Sequence, residues 1–222
     1  MPDFAFLSGG RIHVKLGSEE PREIQSPFAA SVISRASSIA RRNEWKTQGR
    51  GARFMMGMEG LPDEVTQSKF DAPPIRCTGL SRGRHPAELV YSLSTGVVTG
   101  LFGFSGGEEE RILHGNEWRV SEPMCEPGAE RIACVVSGKH GQSHIAIWRP
   151  GRGIEQVTEG DAQHTAPCWS TDGRVLFESR VFGYDKHGKV VDLAPATIAE
   201  LDLLGGSVRT LIEHPEINCT SP

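Results

Sequence analysis

Short stretches of alternating apolar and polar residues run through most of the chain, separated by breaks rich in Gly, Pro and Asp. A period of two is the signature of β-strands that bury one face. Two segments repeat the same order of parts. The first is Ser121-Glu-Pro-Met-Cys-Glu-Pro-Gly-Ala-Glu-Arg-Ile-Ala-Cys-Val-Val-Ser137, then Ser143-His-Ile-Ala-Ile-Trp148, a Gly turn, and Ile154-Glu-Gln-Val-Thr158. The second is Ala166-Pro-Cys-Trp-Ser-Thr-Asp-Gly-Arg-Val-Leu-Phe-Glu-Ser179, then Thr197-Ile-Ala-Glu-Leu-Asp-Leu203, Gly205-Gly206, and Val208-Arg-Thr-Leu-Ile212. Each predicts a strand containing Pro, a tight turn, two strands joined by a hairpin, and a closing strand. Pro123 and Pro167 are 44 residues apart, the period of a four-stranded propeller blade. Asp172-Gly173 between two apolar runs marks a tight turn, because Gly accepts the positive φ it demands.

Weaker copies extend the pattern to both sides. Residues 75–117 hold a third unit, with an apolar strand at 87–93 and a Gly106-Gly107 turn. Residues 1–27 hold three strands of a fourth unit that lacks an obvious first strand. The organisation expected is a partial blade over 1–27, a helical insertion and loop over 28–74, blades over 75–117, 118–159 and 160–214, and a tail over 215–222 without strand pattern. Within the insertion, Val32, Ile33, Ala36, Ile39 and Ala40 recur at helical spacing and predict a helix over 28–42. Residues 52–58 read as a strand or an apolar flap and 60–74 as loop. Residues 181–195 read as a long hairpin inserted into the last blade.

The run Pro167-Cys-Trp-Ser-Thr-Asp-Gly-Arg-Val-Leu-Phe-Glu-Ser179 resembles the TolB-like propeller repeat, whose blades carry a Pro-x-Trp-Ser-Pro-Asp-Gly turn before an apolar strand. The resemblance covers about half the chain, and Thr171 stands where the repeat usually has Pro. It implies an all-β fold, a β-propeller of four-stranded blades that is partial or truncated, with one helical insertion. At about 40–50 residues per blade, 222 residues hold about four, the lower limit of the usual range. The resemblance also implies that Trp169 and Asp172 are framework residues. Similar propellers form one part of prolyl-oligopeptidase-like enzymes, so the propeller portion of such a serine hydrolase is the alternative to a binding module.

Composition agrees with a strand-and-turn fold: 26 Gly and 14 Pro exceed what long helices tolerate. A net charge of −4 leaves no basic footprint for nucleic acid. No apolar run is long enough to span a membrane, and the first ten residues lack the form of a signal peptide. The expected location is therefore cytoplasmic, with the five cysteines, odd in number and without a CxxC pair, reduced.

Gly103-Phe-Ser-Gly-Gly107 fits the Gly-x-Ser-x-Gly nucleophile elbow, but three glutamates follow at once and no αβ alternation supplies an Asp and a His. A hairpin turn is the better reading of Ser105. His140 and His144 are four apart, yet they fall in a turn and a strand rather than on a helix, so neither metal nor other cofactor is expected. The expected contact surface comes from the connections entering each first strand and the turns between middle strands. Those positions include Trp118, Arg119, Glu122, Asp161, His164, Arg180 and Tyr184. The function expected is a non-enzymatic scaffold for a protein or peptide partner, with self-association through an open blade edge as a further possibility.

Overall fold

The computed structural model describes residues 4–15, 17–48, 74–85, 88–95, 98–113 and 117–222, the side chains of 43–48 and 139 excepted. The expected strand or flap at 52–58 and the loop at 60–74 lie outside the described residues, save Pro74.

Residues 25–75 form one compact unit, whose described part is mainly helix α1 (Pro27–Gln48). Its start follows from two adjacent residues. Ser26 caps it, the hydroxyl accepting the Ala29 N–H at 3.1 Å, while Pro27 takes the first helical position, where no N–H is needed. The helix runs six residues past the expected end at 42, because no Gly or Pro interrupts the chain before Gly49.

The other unit comprises residues 1–24 and 76–222 and is all-β. Its first sheet has three antiparallel strands in the order β1 (Phe4–Ser8), β2 (Arg11–Lys15), β3 (Arg22–Ile24). The second blade contains β4 (Arg76–Arg82), β5 (Leu89–Ser94), β6 (Thr99–Ser105) and β7 (Glu108–Arg111), each antiparallel to the next. The third contains β8 (Val120–Cys125), β9 (Ile132–Ser137), β10 (Ser143–Arg149) and β11 (Gly153–Gln156). The fourth contains β12 (Ala162–Trp169), β13 (Val175–Tyr184), β15 (Thr197–Asp202) and β16 (Ser207–Ile212), while β14 (Val190–Leu193) pairs with the far end of β13. One parallel pair, Ser143 with Gln163, joins the third and fourth blades. Consecutive four-stranded antiparallel meanders packed face to face are the blades of a β-propeller, here a partial one.

Burial explains why the middle strands read as continuous apolar runs. All of Ile132 to Val136 in β9 is buried. Ile132, Cys134 and Val136 point into a cluster with Val90 and Leu101 of blade two. Ala133 and Val135 point the other way, into a cluster with Val175, Phe177, Ala199 and Leu201 of blade four. A blade with neighbours on both faces therefore loses the alternation that a one-sided sheet keeps. Trp169 ties two blades together, its indole N–H donating to the Met124 carbonyl at 2.8 Å with the Arg131 guanidinium 4.9 Å from its ring. By contrast every residue of β16 is exposed.

Candidate binding surface at the blade axis and the blade-four hairpin

The first strands β4, β8 and β12 bulge at equivalent points: between Cys77 and Gly79, between Ser121 and Met124, and between Thr165 and Cys168. Glu122 and Ala166 adopt φ of +49° and +51° there, a region that L-residues enter rarely. The bulges bring the strands so close that a Cβ on Gly79 would lie 2.6 Å from the Glu122 Cα. Glycine at 79 is thus a requirement of the interblade approach. The Glu122 carboxylate accepts the Ala166 N–H at 2.7 Å, locking the second bulge to the third. Residues 79–80, 122–124 and 166–168, together with Ser221 and Pro222, line a cavity of about 270 Å³.

A second group of candidates gathers where blade four meets blade three. The exposed Asp161 accepts from Gln142 Nε2 at 2.6 Å, and its backbone carbonyl takes the Phe182 N–H at 3.1 Å. Tyr184 hydrogen-bonds the same carboxylate, and its phenol is raised above its ordinary range by desolvation and by Asp161. Arg180 pairs in register with Gln163 on β13, half-buried. The hairpin that carries Tyr184 exposes three apolar-bodied side chains: Val181 at 57%, Tyr184 at 43% and Val191 at 61%. Its tip is organised by Asp185, whose carboxylate accepts the N–H groups of His187 and Lys189 at 2.8 and 2.9 Å.

Six of the seven predicted residues therefore divide into three places. Asp161, Arg180 and Tyr184 stand together. Glu122 lies on the axis, in a bulge rather than in a connection. Trp118 is half-buried against the cluster between blades two and three, and Arg119 beside it is exposed.

His164 sits inside β12, 7% exposed, and is a core residue rather than a loop contact. Its Nδ1 hydrogen-bonds the Thr158 hydroxyl at 2.8 Å and its ring packs edge-on to Phe177 and His144. Burial, with a smaller contribution from His144, pulls its pKa down to about 4. His144 is lowered too, by burial, and its buried Nδ1 has no hydrogen-bond partner. Both rings are neutral near pH 7.

Ser105 pairs with Glu108 across Gly106 and Gly107, whose φ values are +61° and +91°. The motif is the turn between β6 and β7, with no helix behind it. His140 is an exposed turn residue with φ of +56°. Among the described residues no three His, Cys, Asp or Glu side chains come together as a metal-binding set. Burial pushes the Cys125 and Cys134 thiols up to about 11 and about 12. A larger cavity of about 380 Å³ lies between blades two and three, lined among others by Arg84, Glu88, Cys125 and Arg131, and none of the seven residues reaches it.

Sequence reasoning missed Ala166, Gln142 and Thr158. Pro123 and Pro167 were the available signal for the bulges, since each follows a bulged residue.

No protein-family model matches the chain, and no curated protein sequence matches it. Several solved structures are similar. A putative TolB from Agrobacterium tumefaciens is 25% identical at a TM-score of 0.46, over 63% of this chain and 49% of that one. TolB from Acinetobacter baumannii is 14% identical at a TM-score of 0.48, over 60% of this chain and 32% of its own. The β-propeller domain of the Trilobed protease from Pyrococcus furiosus is 9% identical at a TM-score of 0.45, over 93% of this chain and 45% of its own. The chain spans half or less of the length of each.

Proposed function

We propose that this chain is a non-enzymatic binding module whose blade-four hairpin grips a protein or peptide partner. The observation that carries the reading is the exposure of Val181, Tyr184 and Val191 on one ordered hairpin beside Asp161 and Arg180. Exposed apolar side chains on one hairpin, with a tyrosine, a carboxylate and a guanidinium near them, have the composition of a partner-contact surface. The Asp185 turn and the pairing of β13 with β14 hold the hairpin in shape before contact, which lowers the ordering cost of binding.

Quantitative affinity capture with the whole chain tests this. A Tyr184→Ala, Val191→Asp variant with unchanged thermal stability is expected to retain less than a tenth of whatever partner the native chain captures reproducibly. Equal capture by both forms removes the hairpin from the reading.

The hydrolase alternative attributes turnover to Ser105, on a Gly-rich turn. Hydrolysis of p-nitrophenyl esters by the native chain and by Ser105→Ala is expected to match background in both. Turnover lost in the variant overturns the non-enzymatic reading.

A further inference from the structure

The cavity between blades two and three lies at the opposite strand ends from Tyr184, beside the turns that enter β5 and β9. Its volume of about 380 Å³ falls within the range of small-molecule sites, about 300–1,000 Å³. Its base belongs to the apolar cluster that joins the two blades. Val90, Cys125 and Ile132 are buried there, with Ile112 and Trp148 half-buried against them. Apolar surface with an aromatic ring takes the hydrocarbon part of a ligand, and the polar groups around it set the ligand's charge and orientation.

The charged side chains around that base are unequally matched. Arg84, in the turn before β5, pairs with Glu130 in the turn before β9. Arg131 makes two contacts with the Glu126 carboxylate, each 2.5 Å long. Arg111 donates its Nε–H to the Leu113 carbonyl at 3.0 Å. Each guanidinium thus has an acceptor, whereas Glu88 and Glu110 lack a cation. Glu88 accepts the His85 N–H at 3.4 Å, and among the described residues no Lys, Arg or His side chain lies within ion-pair distance of either carboxylate. The strand register puts both on the cavity side. Val90 and Glu110 each lie opposite Gly103, and partners across a ladder share a face. Glu88 reaches the same face, its Oε1 3.8 Å from the position that a Cβ on Gly103 would take. Gly103 itself puts no side chain between them.

We propose that this cavity binds an organic cation, a primary amine or guanidine on an apolar stem, with its head between Glu88 and Glu110 and its stem on Val90, Ile112 and Trp148. Carboxylates select a hydrogen-bonding cation, because charge-assisted bonds are stronger than neutral ones. Glu88 is half-buried, so its charge is screened less than that of a fully exposed side chain. The Trp148 ring adds a face that such a cation covers favourably. An anion meets the opposite situation, since Arg84, Arg111 and Arg131 are already engaged and the two carboxylates repel it. A bare metal ion is a poor occupant, because among the described residues no three His, Cys, Asp or Glu side chains form a set for one. The head group is the same in a free amine or guanidine and in a Lys or Arg side chain of a peptide.

The test titrates the full chain with n-butylguanidinium, and with n-butylurea as its neutral counterpart, following the tryptophan indole N–H signals by two-dimensional NMR. Trp148→Phe assigns the Trp148 signal. Butylguanidinium is expected to move that signal saturably, and to bind at least about tenfold more weakly to a Glu88→Gln, Glu110→Gln variant of unchanged thermal midpoint. Butylurea is expected to bind the native chain at least about tenfold more weakly than the cation. Ala129→Phe, which narrows the cavity from the blade-three turn without altering a charge, is expected to weaken cation binding as well. The peptide acetyl-Gly-Arg-Gly-amide identifies the source of the cation. Binding at least as tight as that of butylguanidinium assigns the site to a peptide side chain, and weaker binding assigns it to a small free cation. The proposal is overturned by the absence of a saturable shift up to about 10 mM, by equal binding of butylurea, or by binding unchanged in the double Gln variant.

Discussion

His164 and Gly79 show how much can rest on one side chain. His164 is neutral in the folded state because burial lowers its pKa to about 4, whereas the unfolded ring titrates near 6.5. A depressed pKa contributes stability that is fully present above the unfolded value and is lost as pH falls toward the folded one. Stability is therefore expected to drop between about pH 6.5 and pH 4, by up to about 3 kcal/mol from this residue. Urea midpoints across that range measure it, and His164→Gln should flatten the slope. Gly79 faces a backbone that cannot retreat, since a Cβ there would meet the Glu122 Cα at 2.6 Å and the Pro123 Cδ at 2.7 Å. Gly79→Ala is expected to cost about 1–3 kcal/mol by overpacking, read as a lower thermal midpoint. Gly106→Ala, whose Cβ would meet nothing within 4 Å, carries only the strain of its φ of +61° and serves as the control.

Among the elements, those with apolar residues on both faces were legible in sequence and those defined by backbone bonds were not. The runs of β9, β10 and β15 stand out because their burial is two-sided. The turn at Asp172 and Gly173 was equally plain, since Gly173 takes a φ of +79° there. The bulges escaped notice because Glu122 and Ala166, not glycines, hold the positive φ. His164 read as a loop residue because its burial depends on Thr158, in the connection before β12, and on Phe177 of the neighbouring β13. Residues 216–222 showed no apolar alternation and form no strand, and only the hydrogen bonds of Cys219 to the Ala196 carbonyl and of Ser221 to Glu178 fix them against blade four. Trp169→Phe probes the join between elements. It keeps the ring but removes the donor to the Met124 carbonyl, and is expected to cost about 1–2 kcal/mol, read by chemical denaturation.

For the whole molecule, stability is shared between neighbours rather than held within blades. Blade three is covered on both sides, by clusters it forms with blades two and four, while β16 is exposed throughout and β1 carries three exposed apolar side chains. Amide hydrogen exchange should follow that order, with β9 and β10 protected at least about a hundredfold more than β16, since opening at the ends costs least. Equal protection along the chain would show that the blades unfold as one unit. The approximate number and order of blades could be read from the sequence, because each is a local meander.

The two-sided burial of β9 also sets a schedule for synthesis. The Val135 face of that strand is covered by side chains up to Leu201, 66 residues further along the chain. At the usual translation rate of about 5–20 residues per second it stays wet for about 3–13 s after it is made. During that interval the nascent chain shows a bare, β-branched surface, and this is the moment at which a chaperone has most to do.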